Sequence, residues 1–212
     1  AVAVDASGMT GLGDVTFTLA AGMVVGSSFK GTANNDSMNI GTINGTSYLG
    51  MAGNDTFDGA LAALVQTGSS DHSINGGLGT DKVTVTDTGA ITLTDNHFMG
   101  ISNMEALLLT ATGAGNVSVT TGAAFNSAYS DGVTITTGAL ANDDAFLIAA
   151  GLATVDMSVT ASAALLLGDD NAADDITITT GSGDDTVSVV GTGFVSGVAG
   201  GSIAVSTGAG AD

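Results

Sequence analysis

The chain is expected to fold as an all-β protein, a right-handed parallel β-solenoid or β-roll-like stack. Three observations lead there. Apolar and hydroxylated residues alternate with period 2 almost wherever a period can be read. The alternating runs are short and return again and again along the chain. Gly, Asn and Asp fill the gaps between them, as tight turns require.

The elements follow in order. Val15-Thr16-Phe17-Thr18-Leu19 alternates cleanly, as do Val83-Thr84-Val85-Thr86, Ile91-Thr92-Leu93-Thr94 and Val117-Ser118-Val119-Thr120. The pattern returns at Val133-Thr134-Ile135-Thr136, Ile176-Thr177-Ile178-Thr179 and Val187-Ser188-Val189. In a strand, such a run puts the apolar residues on a buried face and Thr or Ser on the outer one. Two stretches are expected to be helical: 59–66, which follows the cap candidate Asp58, and, more weakly, 122–129. Ala106-Leu107-Leu108-Leu109 and Ala163-Ala164-Leu165-Leu166-Leu167 are strand-sized, and no run approaches the roughly 18 apolar residues of a membrane-spanning helix. Turn aspartates thin out between 95 and 130. The expected organisation is a solenoid region over 1–94, a linker or less regular β region over 95–130, and a second solenoid region over 131–212.

Composition narrows the function. Of 212 residues, 21 are acidic and only Lys30 and Lys82 are basic, for a net charge of −19. With no Arg and no basic patch, phosphate neutralisation is unavailable, so nucleic acid is not expected as a partner. Anionic membrane surfaces are disfavoured on the same ground, and no membrane insertion is expected. The absence of Cys removes disulfides, thiol nucleophiles and thiolate metal sites. Hydrophobic residues reach 44%, rich in β-branched types, which supports a core and argues against disorder. The start, Ala1-Val2-Ala3-Val4-Asp5, has no Met and no basic segment, so an intact signal peptide is not expected there.

The informative signal is a nonapeptide. Gly76-Gly77-Leu78-Gly79-Thr80-Asp81-Lys82-Val83-Thr84 fits G-G-x-G-x-D-x-U-x completely, with U a large apolar residue, a pattern of calcium-binding β-helix repeats. Gly50-Met51-Ala52-Gly53-Asn54-Asp55-Thr56-Phe57-Asp58 and Gly31-Thr32-Ala33-Asn34-Asn35-Asp36-Ser37-Met38-Asn39 are degenerate copies. Thr180-Gly181-Ser182-Gly183-Asp184-Asp185-Thr186-Val187-Ser188 loses only the first Gly. Thr207-Gly208-Ala209-Gly210-Ala211-Asp212 begins another copy, from which a longer parent chain with adjacent domains is expected. The glycines allow a tight turn whose carbonyl oxygens point inward, and the Asp adds a carboxylate. Ca²⁺ takes six to eight such oxygens at about 2.3–2.6 Å, so one turn supplies part of a shell and a neighbouring coil must supply the rest. The same Asn-Asp and Gly-Asp pairs also form Asx-turns, which need no metal. The acidic knots Asn142-Asp143-Asp144 and Asp169-Asp170-Asn171 with Asp174-Asp175 suit either a cation or a solvated loop.

On these motifs the chain resembles the repeats-in-toxin (RTX) type calcium-binding β-roll proteins, and within them the S-layer-like surface proteins and large adhesins of bacteria. The run from Ile91 to Leu109 adds to this. Its Phe98-Met99-Gly100-Ile101-Ser102-Asn103-Met104-Glu105-Ala106-Leu107-Leu108-Leu109 resembles the F-x-G-I-x-N-x-E-x-L-x-L linker of such proteins. The resemblance implies carboxylate ligands at Asp36, Asp55, Asp81, Asp185 and Asp212. It implies turn carbonyls from Gly31, Gly50, Gly53, Gly76, Gly77, Gly79, Gly181 and Gly183. The copies are scattered and one is complete, so an irregular solenoid with a few ion sites is implied, with a β-sandwich carrying calcium loops as the other architecture.

The function expected is structural: a segment of a secreted, extracellular surface-layer, filament or adhesin protein that self-associates into a lattice or filament, with calcium as its cofactor. The repeat region of a secreted RTX toxin or hydrolase is the alternative. Catalysis is not expected. His72 and His97 are the only histidines, Ser70-Asp71-His72 is adjacent in sequence without being a triad, and Glu105 is the sole Glu. A β-helix polysaccharide-cleaving enzyme would need paired carboxylates and sugar-stacking aromatics, and aromatics are 4%. An ice-binding face built from Thr-x-Thr strands is a further minor reading.

Overall fold

The structure is a computed structural model that describes residues 1–9, 11, 13–18, 24–43, 45–64, 72–113, 115–138, 145–163, 176–191 and 202–212. The chain runs through β1 (Ala3–Asp5), β2 (Thr16–Phe17), β3 (Ser28–Lys30), β4 (Ser37–Asn39), β5 (Ser47–Ala52) and β6 (Thr56–Gly59). A 3-10 turn at Leu61–Ala63 leads to β7 (Ser73–Leu78), β8 (Lys82–Asp87) and β9 (Ile91–Leu93). A second 3-10 turn, Asp95–Phe98, precedes β10 (Ile101–Ser102), β11 (Ala106–Ala111), β12 (Val117–Thr120) and the helix α1 (Ala123–Ala128). Then come β13 (Val133–Thr137), β14 (Phe146–Ala149), β15 (Met157–Ala163), β16 (Ile176–Thr179), β17 (Thr186–Gly191) and β18 (Ile203–Ser206).

Among the described residues every strand pairing is parallel, and strands far apart in sequence become neighbours. This is a parallel β-solenoid, as the alternation predicts, and a sandwich of antiparallel hairpins is excluded. An eight-stranded sheet, in the order β17-β15-β13-β11-β8-β6-β4-β2, runs through the whole stack. In the first half it faces the sheet β1-β3-β5-β7-β10, and in the second half the sheet β18-β16-β14-β12-β9. The 3-10 turns and α1 sit at that exchange, where α1 packs on β10 and the first 3-10 turn packs on β9. Each inner sheet edge is thereby covered rather than left open for pairing.

Register explains the period-2 pattern. One row of the long sheet reads Phe17, Met38, Phe57, Val83, Leu107, Ile135, Val159, Val187 from coil to coil. Met38, Phe57, Val83, Ile135 and Val159 are fully buried. The facing rows supply Phe29, Tyr48 and Ile74 in one half and Val117, Phe146 and Ile176 in the other. A one-residue slip would turn each row to solvent, so burial locks the register. The expected helix at 59–66 is corrected: Gly59 ends a strand and only a 3-10 turn forms, while 65 and 66 lie outside the described residues. Strand β6 claims the start of the run, and the coil closes in a single 3-10 turn that buries Ala63 and Leu64. The helix expected at 122–129 is present as α1. Its first N–H groups, from Ala124 and Phe125, donate to the carboxylate of Asp95 one coil earlier, at 3.2 and 2.9 Å.

Candidate metal centre

The repeat aspartates share one corner of the solenoid, immediately before the strands of the long sheet. Extending its register by one residue aligns Val15, Asp36, Asp55, Asp81, Glu105, Val133, Met157 and Asp185 in a column. Hydrogen bonds run along it in one direction. Oδ1 of Asp36 accepts the Val15 N–H at 2.8 Å, and Oδ1 of Asp55 accepts the Asp36 N–H at 2.7 Å. Oδ1 of Asp81 accepts the Asp55 N–H at 2.7 Å, and Oε2 of Glu105 accepts the Asp81 N–H at 2.6 Å. The column is interrupted where Val133 and Met157 take the place of carboxylates. It resumes as Oδ1 of Asp185 accepts the Met157 N–H at 2.9 Å and Oδ1 of Asp212 accepts the Asp185 N–H at 3.1 Å.

A second column, one residue earlier, runs the opposite way. Oδ1 of Asn35 accepts the Asn54 N–H at 2.7 Å, and Oδ1 of Asn54 accepts the Thr80 N–H at 2.9 Å. Asp156 and Asp184 continue it, accepting the N–H groups of Asp184 and Ala211, each at 2.9 Å. The coils of Asp55 and Asp81 and that of Asp185 are therefore held by short polar side chains where the turn breaks the sheet's own ladder.

The second carboxylate oxygens behave differently. Asp36, Asp55, Asp81 and Asp185 are at most 2% exposed. Oδ2 of Asp36 accepts the Thr32 N–H at 2.6 Å, with the Thr32 hydroxyl beside it. Among the described residues, Oδ2 of Asp55, Asp81 and Asp185 has no hydrogen-bond partner. Gly50 shows what faces one of them. A Cβ placed there would meet Oδ2 of Asp55 and the carbonyl oxygen of Gly76 in the next coil. The same two-oxygen arrangement recurs at Gly76, between Oδ2 of Asp81 and the Asn103 carbonyl, and at Gly31, between Oδ2 of Asp36 and the Gly50 carbonyl. At Gly50 and Gly76 two acceptors thus converge from adjacent coils, and neither carboxylate Oδ2 has a donor among the described residues. Burial pushes the Asp55 carboxyl up to about 7, against the Asp36 N–H that lowers it, and the neighbouring Asp81 and Asp36 add to the rise. Burial also raises Asp81, helped by Glu105 and opposed by the Asp55 N–H. This chemistry fits a small hard cation or a proton. Among the described residues no three acidic or histidine side chains converge, so carbonyl oxygens and water would complete any shell.

The implied ligands fall into two groups. Asp55 with Gly50 and Gly76, Asp81 with Gly76, and Asp36 with Gly31 and Gly50 are brought together. Gly53, Gly77, Gly79, Gly181 and Gly183 instead lie against backbone of the preceding coil, at Asn34, Met51, Gly53, Ala153 and Val155. Their small size is used for close coil packing. Asp185 has Thr180 where the other turns have their first Gly, and the Thr180 hydroxyl donates to the Thr207 carbonyl at 2.9 Å. Asp212 is exposed and its Oδ1 serves the column.

Sequence reasoning missed Asn103 and Glu105. Register aligns Ile101 with Ile74 and Ser102 with Asn75, so Asn103 takes the place of Gly76. It reverses the chain at φ +53 without a glycine. Glu105 takes the place of Asp81 itself. Its neighbourhood includes a cleft lined by Glu105, Asp131, Asp156 and Asp184 together with Thr134 and Ser158. Asp143, Asp144, Asp169, Asp170, Asp174 and Asp175 of the acidic knots, with Ser70 and Asp71, lie outside the described residues. His72 is buried with its ring against Tyr48, centroids 5.9 Å apart, and His97 closes a capping box with Thr94. No protein-family model, curated protein or solved structure matches the chain.

Proposed function

We propose that this chain is a structural, non-catalytic segment of a secreted calcium-dependent surface-layer, extracellular filament or adhesin protein of the RTX-like type, which self-assembles. One observation carries the reading: buried Oδ2 atoms in successive coils face carbonyl oxygens of the next coil with no donor between them. A divalent cation placed between coils supplies what both oxygens lack and joins one turn of the stack to the next. A chain with a charge of −19 and two lysines has few internal means of supplying that positive charge. The interruption at Val133 and Met157 favours this reading over the uniform repeat array of a toxin or secreted hydrolase. The hydroxyl rows Thr134–Ser158–Thr186 and Thr136–Thr160–Ser188 align across β13, β15 and β17. Ala106 and Leu108 end them on β11, so an ice-binding face has less support.

The test is light scattering and electron microscopy of the purified chain with millimolar calcium and with excess chelator, alongside thermal melts followed by circular dichroism. Calcium is expected to raise the melting temperature and produce assemblies that the chelator disperses. A melting temperature and scattering unchanged by chelator, with no metal in the purified protein, would overturn the proposal.

A further inference from the structure

The run Asn103-Met104-Glu105 carries none of the glycines of a nonapeptide, yet it occupies the nonapeptide's place in the stack. Asn103 aligns with Gly76, and Glu105 aligns with Asp81. Between these two coils lies a carboxylate oxygen in an exceptional position. Asp81 is fully buried, its Oδ1 is engaged by the Asp55 N–H at 2.7 Å, and its Oδ2 has no partner among the described residues. That Oδ2 and the Asn103 carbonyl oxygen converge on the same face of Gly76, where a Cβ would collide with both. The Glu105 carboxylate reaches the same turn from the following coil, with Oε2 on the Asp81 N–H at 2.6 Å.

We propose that this glycine-free coil completes a cation site of its own, with Oδ2 of Asp81, the backbone carbonyl of Asn103 and the carboxylate of Glu105 as the protein ligands for Ca²⁺. The inference rests on the calcium reading of the repeats and extends it to residues outside them. Three features distinguish the site. Asn103 holds φ +53, a left-handed conformation that Asn tolerates better than most residues, and it presents its carbonyl to Gly76 without a glycine turn. The turn is shorter than Gly76–Asp81, and Glu105 spans the difference with a side chain one methylene longer than Asp. Glu105 is also only half-buried, and it lines an acidic cleft with Asp131 and Asp156.

The competing explanation is that Glu105 serves only as a hydrogen-bond acceptor for the Asp81 N–H. Glu105→Gln separates the two, because the amide oxygen keeps that acceptor and the charge is lost. Asp81→Asn likewise keeps an oxygen for the Asp55 N–H. Native mass spectrometry and calcium calorimetry on the whole 212-residue chain read the outcome. Glu105→Gln and Asp81→Asn are each expected to lose one bound ion per chain, the double variant no more than one, and Asn103→Gly none. The same calcium count in Glu105→Gln as in the unmodified chain, with its β-sheet spectrum intact, overturns the site and leaves the repeat reading standing. An unmodified chain that binds no calcium overturns both.

Discussion

Asp55→Asn reverses its effect on stability when calcium is added. The structure gives the reason. Oδ1 of Asp55 holds the Asp36 N–H, and an amide oxygen holds it as well. Oδ2 has no partner and faces the Gly76 carbonyl, so an amide nitrogen there gains an acceptor where the carboxylate had none. Moving the carboxyl from 3.8 to about 7 means that keeping it ionised at neutral pH costs the cation-free fold about 4 kcal/mol. Asn removes that cost and adds a hydrogen bond worth about 1 kcal/mol. Allowing for relaxation around the charged form, the gain in chelator should be about 2–4 kcal/mol. For a chain of this size each kcal/mol moves Tm by roughly 2–4 °C. In calcium the same substitution removes a ligand, and a site at hundredfold excess over its Kd contributes about 2.7 kcal/mol that the variant loses. Paired thermal melts in chelator and in calcium are the assay. An Asp55→Asn protein that melts below the unmodified chain in chelator, or shifts by the same amount in both buffers, refutes the argument.

Other outcomes follow from the same geometry. In chelator, the unmodified chain should gain stability as pH falls from about 7 toward 4, because Asp55 is raised above its unfolded value of 3.8 and the folded state binds the proton first. Denaturant midpoints across that window should show the slope, and Asp55→Asn should flatten it. Gly50→Ala should cost roughly 1–3 kcal/mol with or without calcium, since the new methyl displaces either the Asp55 carboxylate or the Gly76 carbonyl; chemical denaturation reads the loss. Met51 holds φ +91 at the position where the complete repeat has Gly77 at φ +112, so Met51→Gly should raise Tm by a few degrees as about 1 kcal/mol of strain is relieved.

Local pattern carried the strands because each apolar residue in an alternating run has one available use, the inner row of a coil. Val83, Val119, Ile135 and Ile178 are fully buried at such positions. The repeat aspartates were legible because Gly-x-Gly-x-Asp specifies a turn within six residues. What stayed hidden depends on which coil lies next to which. Nothing within Asn103-Met104-Glu105 marks it as the counterpart of Gly76 to Asp81; the pairing of β10 with β7 and of β11 with β8 does. The counter-running column of Asn35, Asn54, Asp156 and Asp184 is hidden for the same reason, as each partner lies a full coil away. The exchange of one facing sheet for another at β9 and β10 leaves no mark on the alternation, because either sheet needs the same inner row.

The two columns also bear on why a cation rather than a lysine would balance this corner. Rungs of a parallel stack lie about 4.8 Å apart. Ionised neighbours at that spacing repel by roughly 3 kcal/mol at an effective dielectric constant near 20. A lysine in place of Gly50 or Gly76 could not be accommodated, because neither position has room for even a Cβ. The backbone itself occupies that space, because its carbonyls must approach the carboxylates of the neighbouring coil. An ion without a stem needs no such room and takes both the carboxylate and the carbonyl as ligands. Where the column abandons carboxylates, at Val133 and Met157, it places buried apolar side chains instead, which need no ion. Under the calcium reading, removal of the ion should therefore loosen the Asp36–Glu105 coils before those around Val133 and Met157. Hydrogen exchange in chelator measures that order, and uniform loss of protection along the solenoid would contradict it.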